Sequence, residues 1–297
     1  KLLEDEYGDL PASEFGPLKL QAIRELLVAT KIARPTINEQ VRQIISIFEY
    51  SVSRELIGIE VVHALRTVKP LKRGQTTAPE YRKRHPVDIE VVRATAEHLS
   101  PQARAIITVQ AATGMRPSEI FNIRPCDIDR TGKDWFYRPE NHKTEAHDIE
   151  KAVPIIGPAR EALTPFLSRD SSAFCFSPAE SAQWHRDQRT ARRTTPVRYG
   201  NRPGSNRKAN PRRKPGAKFT KDGLNQAVKR ACEKARVPRW TPYQLRHTAA
   251  TVVADALGID GSRALLGHSG VAMTRRYIHQ KQDEAKALEA AKVAPAV

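Results

Sequence analysis

A mainly α-helical chain with one small β-sheet is what this sequence predicts, and three observations carry the prediction. Apolar residues recur at three- and four-residue spacing, as at Ile37, Val41, Ile44, Ile45 and Phe48, the signature of a helix with one buried face. Between residues 134 and 155 that period breaks into short strand-like pieces, W-F-Y-R and A-V-P-I, around the polar turn N-H-K-T-E-A-H-D. A stretch at 69–86, with three prolines, a glycine and seven basic groups counting His85, separates two halves of the pattern.

Residues 17–68 read as helices: Leu18 to Val28, a second running through Ile37–Phe48, and Ile59 to Leu65. Pro35 lies near the start of the second and Gly58 after its end. The chain opens at Lys1 already inside folded-looking sequence, so this helical domain is expected to lack an N-terminal piece. Beyond the linker, helices are predicted near 87–99, 101–113 and 117–124, then at 158–168, 220–236, 242–257 and 260–266. The expected division is a helical domain at 1–75, a basic linker at 76–86 and a second domain at 87–297. Within the second domain, 178–218 is a basic insertion and 280–293, rich in Ala, Glu and Lys, a terminal helix. The insertion carries Arg186, Arg189, Arg192, Arg193, Arg212, Arg213 and Lys214 among its cations, with few acids and almost no large apolar residues. It is expected to be disordered until it meets an anion.

The balance of 50 Lys and Arg against 33 Asp and Glu leaves a net charge of +17 over 297 residues and a pI near 10.0. Such a chain attracts nucleic acid at long range. Charge alone fits an inert basic protein equally well. Cys126, Cys175 and Cys232 are far apart and not in C-x-x-C spacing, which argues against a disulfide framework or a zinc site and for a reducing cytoplasm. No apolar run reaches membrane-spanning length.

Chemistry enters with four residues. Arg116 lies in A-T-G-M-R-P-S-E-I; Arg246, His268 and Tyr277 follow one another near the C-terminus, in Y-Q-L-R-H-T, L-G-H-S and R-Y-I-H. Exchange of a phosphodiester needs its non-bridging oxygens neutralised, a nucleophile aimed in line and the leaving oxygen protonated. Arginine suits the first task because its planar fork binds in bidentate fashion and keeps its charge. Tyrosine can attack and form a covalent phosphotyrosine. Pro117 is a favoured first helical residue, which puts Arg116 at a helix start, with Glu119 as an orienting partner.

These segments, together with H-K-T at 142–144, resemble the tyrosine recombinase, or phage integrase, family over nearly the whole chain. The resemblance implies a helical, SAM-like core-binding domain followed by an α+β catalytic domain. It implies that Arg116 and Arg246 grip the scissile phosphate and that Lys143 protonates the 5′-hydroxyl leaving group. His268 assists at the phosphate, and Tyr277 is the nucleophile. It further implies double-stranded DNA as partner, a homo-tetramer on paired sites, neither metal nor other cofactor, and action at the nucleoid. Arg82, Lys83, Arg84, Arg192, Arg193, Arg212, Arg213 and Lys214 are the candidate DNA contacts of the linker and the insertion.

One position departs from the pattern. Tyr243 stands where the family usually has histidine, three residues before Arg246. A phenol can donate a hydrogen bond to phosphate, but with a reference pKa of about 10 it is a poor proton acceptor at neutral pH. His247 points about 100° away around a helix and is read as structural. The rival readings are a type IB topoisomerase, which shares the chemistry, and a non-catalytic DNA-binding descendant of an integrase. A metal-dependent nuclease would need clustered carboxylates, whereas Asp127 and Asp129 flank a turn as caps.

Overall fold

The structure, a computed structural model, describes residues 1–81, 84–139, 152–196, 198–199, 214–267 and 274. The chain divides into two compact units, Lys1–Lys83 and Arg84–Val297.

The first unit is helical. Helices α1 (Leu2–Tyr7), α2 (Pro17–Ala29), α3 (Arg34–Ser53) and α4 (Ile59–Leu65) surround a core of Leu20, Ile23, Leu27, Ile37, Val41, Phe48, Val61, Val62 and Leu65. Phe15 stacks on Phe48 with ring centroids 5.0 Å apart. The residues buried on α3 fall at the four- and seven-residue steps of one helical face. Helix α1 precedes the periodic segment and escapes it, because six residues show fewer than two turns. Gly58 is the N-cap of α4 and does not end α3, which stops at Ser53. The proline-rich stretch after α4 is tied back to α3. The Asn38 side chain donates to the Leu71 carbonyl at 3.0 Å and accepts from its N–H at 2.8 Å, and Arg34 donates to the same carbonyl at 2.9 Å.

The second unit is mainly α with a small sheet. Its helices are α5 (Ile89–Ala96), α6 (Pro101–Thr113), α7 (Pro117–Phe121), α8 (Pro158–Leu163), α9 (Pro178–Ala191), α10 (Lys221–Ala235) and α11 (Pro242–Leu266). Helix α6 is buried almost all round, against α8 on one side and α11 on another. Ser100 caps its start and Gly114, at φ 63°, ends it. Strands β1 (Ile128–Asp129), β2 (Trp135–Tyr137) and β3 (Val153–Ile155) form an antiparallel sheet in that order. Alternation turns Tyr137, Val153 and Ile155 into the core. Helix α11 breaks at Gly258, where φ is 75° and ψ −179°, at the boundary between the two helices expected there.

The insertion corrects one expectation. Its first part is ordered: Ser177 accepts from the Glu180 N–H, Pro178 takes the first helical position, and α9 runs to Ala191. No α9 residue is fully buried. The helix forms because capping and local propensity suffice once one side rests on α6; absence of a deep core is not absence of structure.

Candidate functional site

Arg116 is the N-cap residue of α7, with extended backbone at φ −69° and ψ 143°. Glu119, one turn on, holds it twice. Its Oε2 accepts from the Arg116 backbone N–H at 2.8 Å, and its Oε1 accepts from the guanidinium at 3.1 Å. The Glu119 carbonyl in turn accepts from the Tyr137 hydroxyl at 3.3 Å, so the sheet braces the turn. The Arg116 side chain stays 32% exposed, within reach of solvent and of a ligand.

Arg246 is the opposite case. It sits on the second turn of α11 and is fully buried. Nη1 donates to the Gly114 carbonyl at 2.6 Å, and Nη2 donates to the Leu266 carbonyl at 2.9 Å. Gly114 lies two residues before Arg116, and Leu266 two before His268. One guanidinium therefore ties together the backbone of both segments. Glycine is favoured at 114 for two reasons: the positive φ, and the approach of the Leu266 side chain from α11. A Cβ there would lie 2.9 Å from a methyl of Leu266.

Tyr243, one turn before Arg246, is half-buried. The Arg84 guanidinium lies over its ring, 4.9 Å from the centroid, and the His247 ring meets it edge-on at 5.8 Å. His247 is itself buried, in line with a structural role. Residues 84–87 run along the start of α11. The His85 carbonyl accepts from the Gln244 amide at 3.0 Å, and Thr248 Oγ1 bonds both the N–H and the carbonyl of Val87 at 3.0 Å.

Of the expected site residues, the structure gathers the segments of Arg116, Glu119, Tyr243 and Arg246. Lys143, His268 and Tyr277 lie outside the described residues, as do Arg82, Lys83, Arg212, Arg213 and the segment 280–293 expected to be helical. Thr274, three residues before Tyr277, is buried. Arg192 is exposed at the end of α9. Arg193 donates to the carbonyls of Thr195 and Tyr199, both at 2.8 Å, and Lys214 is exposed. Sequence reasoning missed the carbonyls of Gly114 and Leu266 and the stacking of Arg84 on Tyr243. Backbone acceptors have no residue signature, and Arg84 read only as one more linker cation.

The two aspartates after α7 are spent on structure. Asp127 accepts from the Arg124 backbone N–H and guanidinium at 2.8–3.1 Å, and Asp129 accepts from Thr131. Among the described residues there is no group of three or more His, Cys, Asp or Glu side chains that could hold a metal ion. No described helix is long and apolar enough to cross a membrane.

Comparison with known proteins accords with this geometry. The family model described as the phage integrase family matches residues 88–284. Tyrosine recombinase XerC of Bifidobacterium longum subsp. infantis is 26% identical over 196 residues, 65% of this chain and 47% of that protein. The chain thus spans about half the length of the curated relatives it matches. A λ integrase dimer bound to a COC′ core site shares the fold at TM-score 0.63 and 11% identity, covering 94% of this chain and 85% of the other. The Tn1549 transposon integrase in complex with circular intermediate DNA does so at TM-score 0.60 and 16% identity, covering 97% and 89%. With the matched region running from the start of α5 through the arginines of α7 and α11 and past Tyr277, the chain belongs to the phage integrase family.

Proposed function

We propose that the chain is a site-specific DNA recombinase that cuts and rejoins strands through a covalent 3′-phosphotyrosine. The observation that carries this reading is the bridge from Arg246 to the carbonyls of Gly114 and Leu266. It makes one unit of the segments that hold Arg116, Tyr243 and Arg246 and that lead into His268, inside the family-matched region.

In this reading Arg116 and Arg246 neutralise the scissile phosphate. The Tyr277 oxygen, its phenol proton passing to His268 or water, attacks phosphorus in line, the bond to the 5′ oxygen breaks, and Lys143 gives that oxygen its proton while His268 assists at the phosphate. Attack by a 5′-hydroxyl on the phosphotyrosine then reverses the polarity: the new phosphodiester forms and Tyr277 leaves. Each step exchanges one phosphoester for another, so the bond energy is kept and no nucleotide cofactor is consumed. Tyr243 donates a hydrogen bond to the phosphate, and Glu119 positions Arg116.

The partner in this reading is double-stranded DNA at the nucleoid, contacted by a domain at 1–75 and by one from 87 onward, joined by the basic segment 76–86. Arg82, Lys83, Arg84, Arg192, Arg193, Arg212, Arg213 and Lys214 lie along the phosphate backbone. Four protomers assemble on paired sites, with the terminal helix at 280–293 docking on a neighbour. The test is a suicide substrate nicked beside the cleavage position. Wild type accumulates a covalent adduct mapped to Tyr277, and Tyr277→Phe binds the same DNA with no adduct. An adduct that persists in Tyr277→Phe refutes the assignment.

A further inference from the structure

A groove of about 680 Å³ lies between α9 and α10, within the size range of sites that take a small ligand. Among the described residues, Glu97 is the single carboxylate on its wall, against Arg186, Arg189, Arg192, Lys218, Arg230 and Lys234. Two of these cations are committed elsewhere. Lys218 donates to Asn122 at 2.6 Å, and Arg186 donates to Gln183. Among the described residues, Arg189, Arg192, Arg230 and Lys234 meet no carboxylate within ion-pair distance; Glu233 on α10 pairs with Lys229.

The crowding is felt at His185, on the same wall. Burial, and then the charges of Lys234, Arg189 and Arg230, hold its pKa below the ordinary histidine value. Like charges gathered in a concave site focus a positive potential that an anion relieves. Beside them stands Trp184, half-exposed on the wall, with its ring edge-on to His185 at 4.8 Å. Arginine forks match phosphate oxygens, and an indole face takes a stacked base regardless of sequence. A duplex keeps its bases stacked on each other and offers no such face.

We propose that the groove between α9 and α10 binds an unpaired stretch of nucleic acid, a base stacking on Trp184 and its phosphates lying among Arg189, Arg230 and Lys234. The site lies outside the strand-cutting residues. Its use, holding a strand freed during exchange, rests on the recombinase reading; its binding does not.

The probe is a fluorescein-labelled oligothymidylate of eight nucleotides, followed by anisotropy on the full chain, with a duplex of equal length beside it. Trp184→Ala is expected to weaken oligothymidylate binding about tenfold or more and leave duplex binding unchanged, while Trp184→Phe keeps most of the affinity. Arg189→Gln with Arg230→Gln is expected to flatten the salt dependence by about 1.4 in log–log slope. Thermal melting of each variant separates loss of binding from loss of fold. Unchanged oligothymidylate binding in Trp184→Ala overturns the proposal. So does equal competition by a polyglutamate peptide, which marks a generic anion groove, or by thymidine monophosphate, which marks a free-nucleotide site. Adduct formation at Tyr277 is scored in parallel on the suicide substrate, so a failed recombinase reading leaves the oligothymidylate result standing.

Discussion

Arg246 and Gly114 meet through a hydrogen bond of 2.6 Å between residues 132 apart in sequence, from a fully buried guanidinium to a backbone carbonyl. The bond lies two residues from Arg116, and its sister bond to Leu266 lies two residues from His268. The arginine assigned to phosphate is thus also a strut for the segments that carry its partners.

The strut predicts a stability cost as well as a catalytic one. Arg246→Ala leaves two buried carbonyls without their charged donor, and hydrogen bonds to charged groups contribute about 1.5–3 kcal/mol each when lost this way. We expect Arg246→Ala to destabilise the chain by about 3–6 kcal/mol in denaturant unfolding, and Arg246→Lys by less, since one ammonium can reach one carbonyl. A midpoint for Arg246→Ala indistinguishable from wild type removes the strut.

Tyr243 predicts an unusual pH profile. A histidine introduced there becomes a proton acceptor once neutral, as pH rises through its reference value of about 6.5. The native phenol, with a reference value of about 10, stays protonated and adds no such limb. We expect Tyr243→His to give a rate of Tyr277 adduct formation that climbs between about pH 6 and 7.5, where wild type is flatter. Identical profiles in the two proteins contradict this role for position 243.

Cys175 predicts an alkaline liability. It is fully buried, and burial is the main reason its thiol pKa is pushed from 9.0 up to about 12. A pKa raised on folding means that the unfolded chain loses the proton first. The resulting stabilisation is whole below pH 9 and drains away as pH climbs towards 12. Native protein at pH 8 is therefore expected to leave Cys175 unalkylated by iodoacetamide until denaturant is added. Alkylation of Cys175 in the folded state, read by peptide mass, counts against its burial.

Much of the fold was legible in the residues. The steps through Ile37, Val41 and Phe48 mark α3, and the helix bounds expected near 101–113 and between 257 and 260 fall beside Ser100, Gly114 and Gly258. The two-residue β1 and six-residue α1 were not, because neither shows a full period. Helix α9 was not legible in the composition, because the basic, apolar-poor stretch at 178–218 hides a segment that its Ser177 cap and Pro178 start make helical. In the site, the Arg116–Glu119 pair was readable, since residues three apart on a helix start face one another.

By itself, then, the sequence determined the helical periods, the basic character and the order of the Arg, Lys, His and Tyr motifs that identify the family. All of these are local or additive properties. Tertiary structure decided what Arg246 does with its donors, why position 114 favours glycine, what lies over the Tyr243 ring, and that six cations and a tryptophan share one groove. Those depend on which distant segments come within a few ångströms of each other. A contact such as Arg246 to Gly114 exists only because α11 packs against α6, and packing is a property of the folded whole.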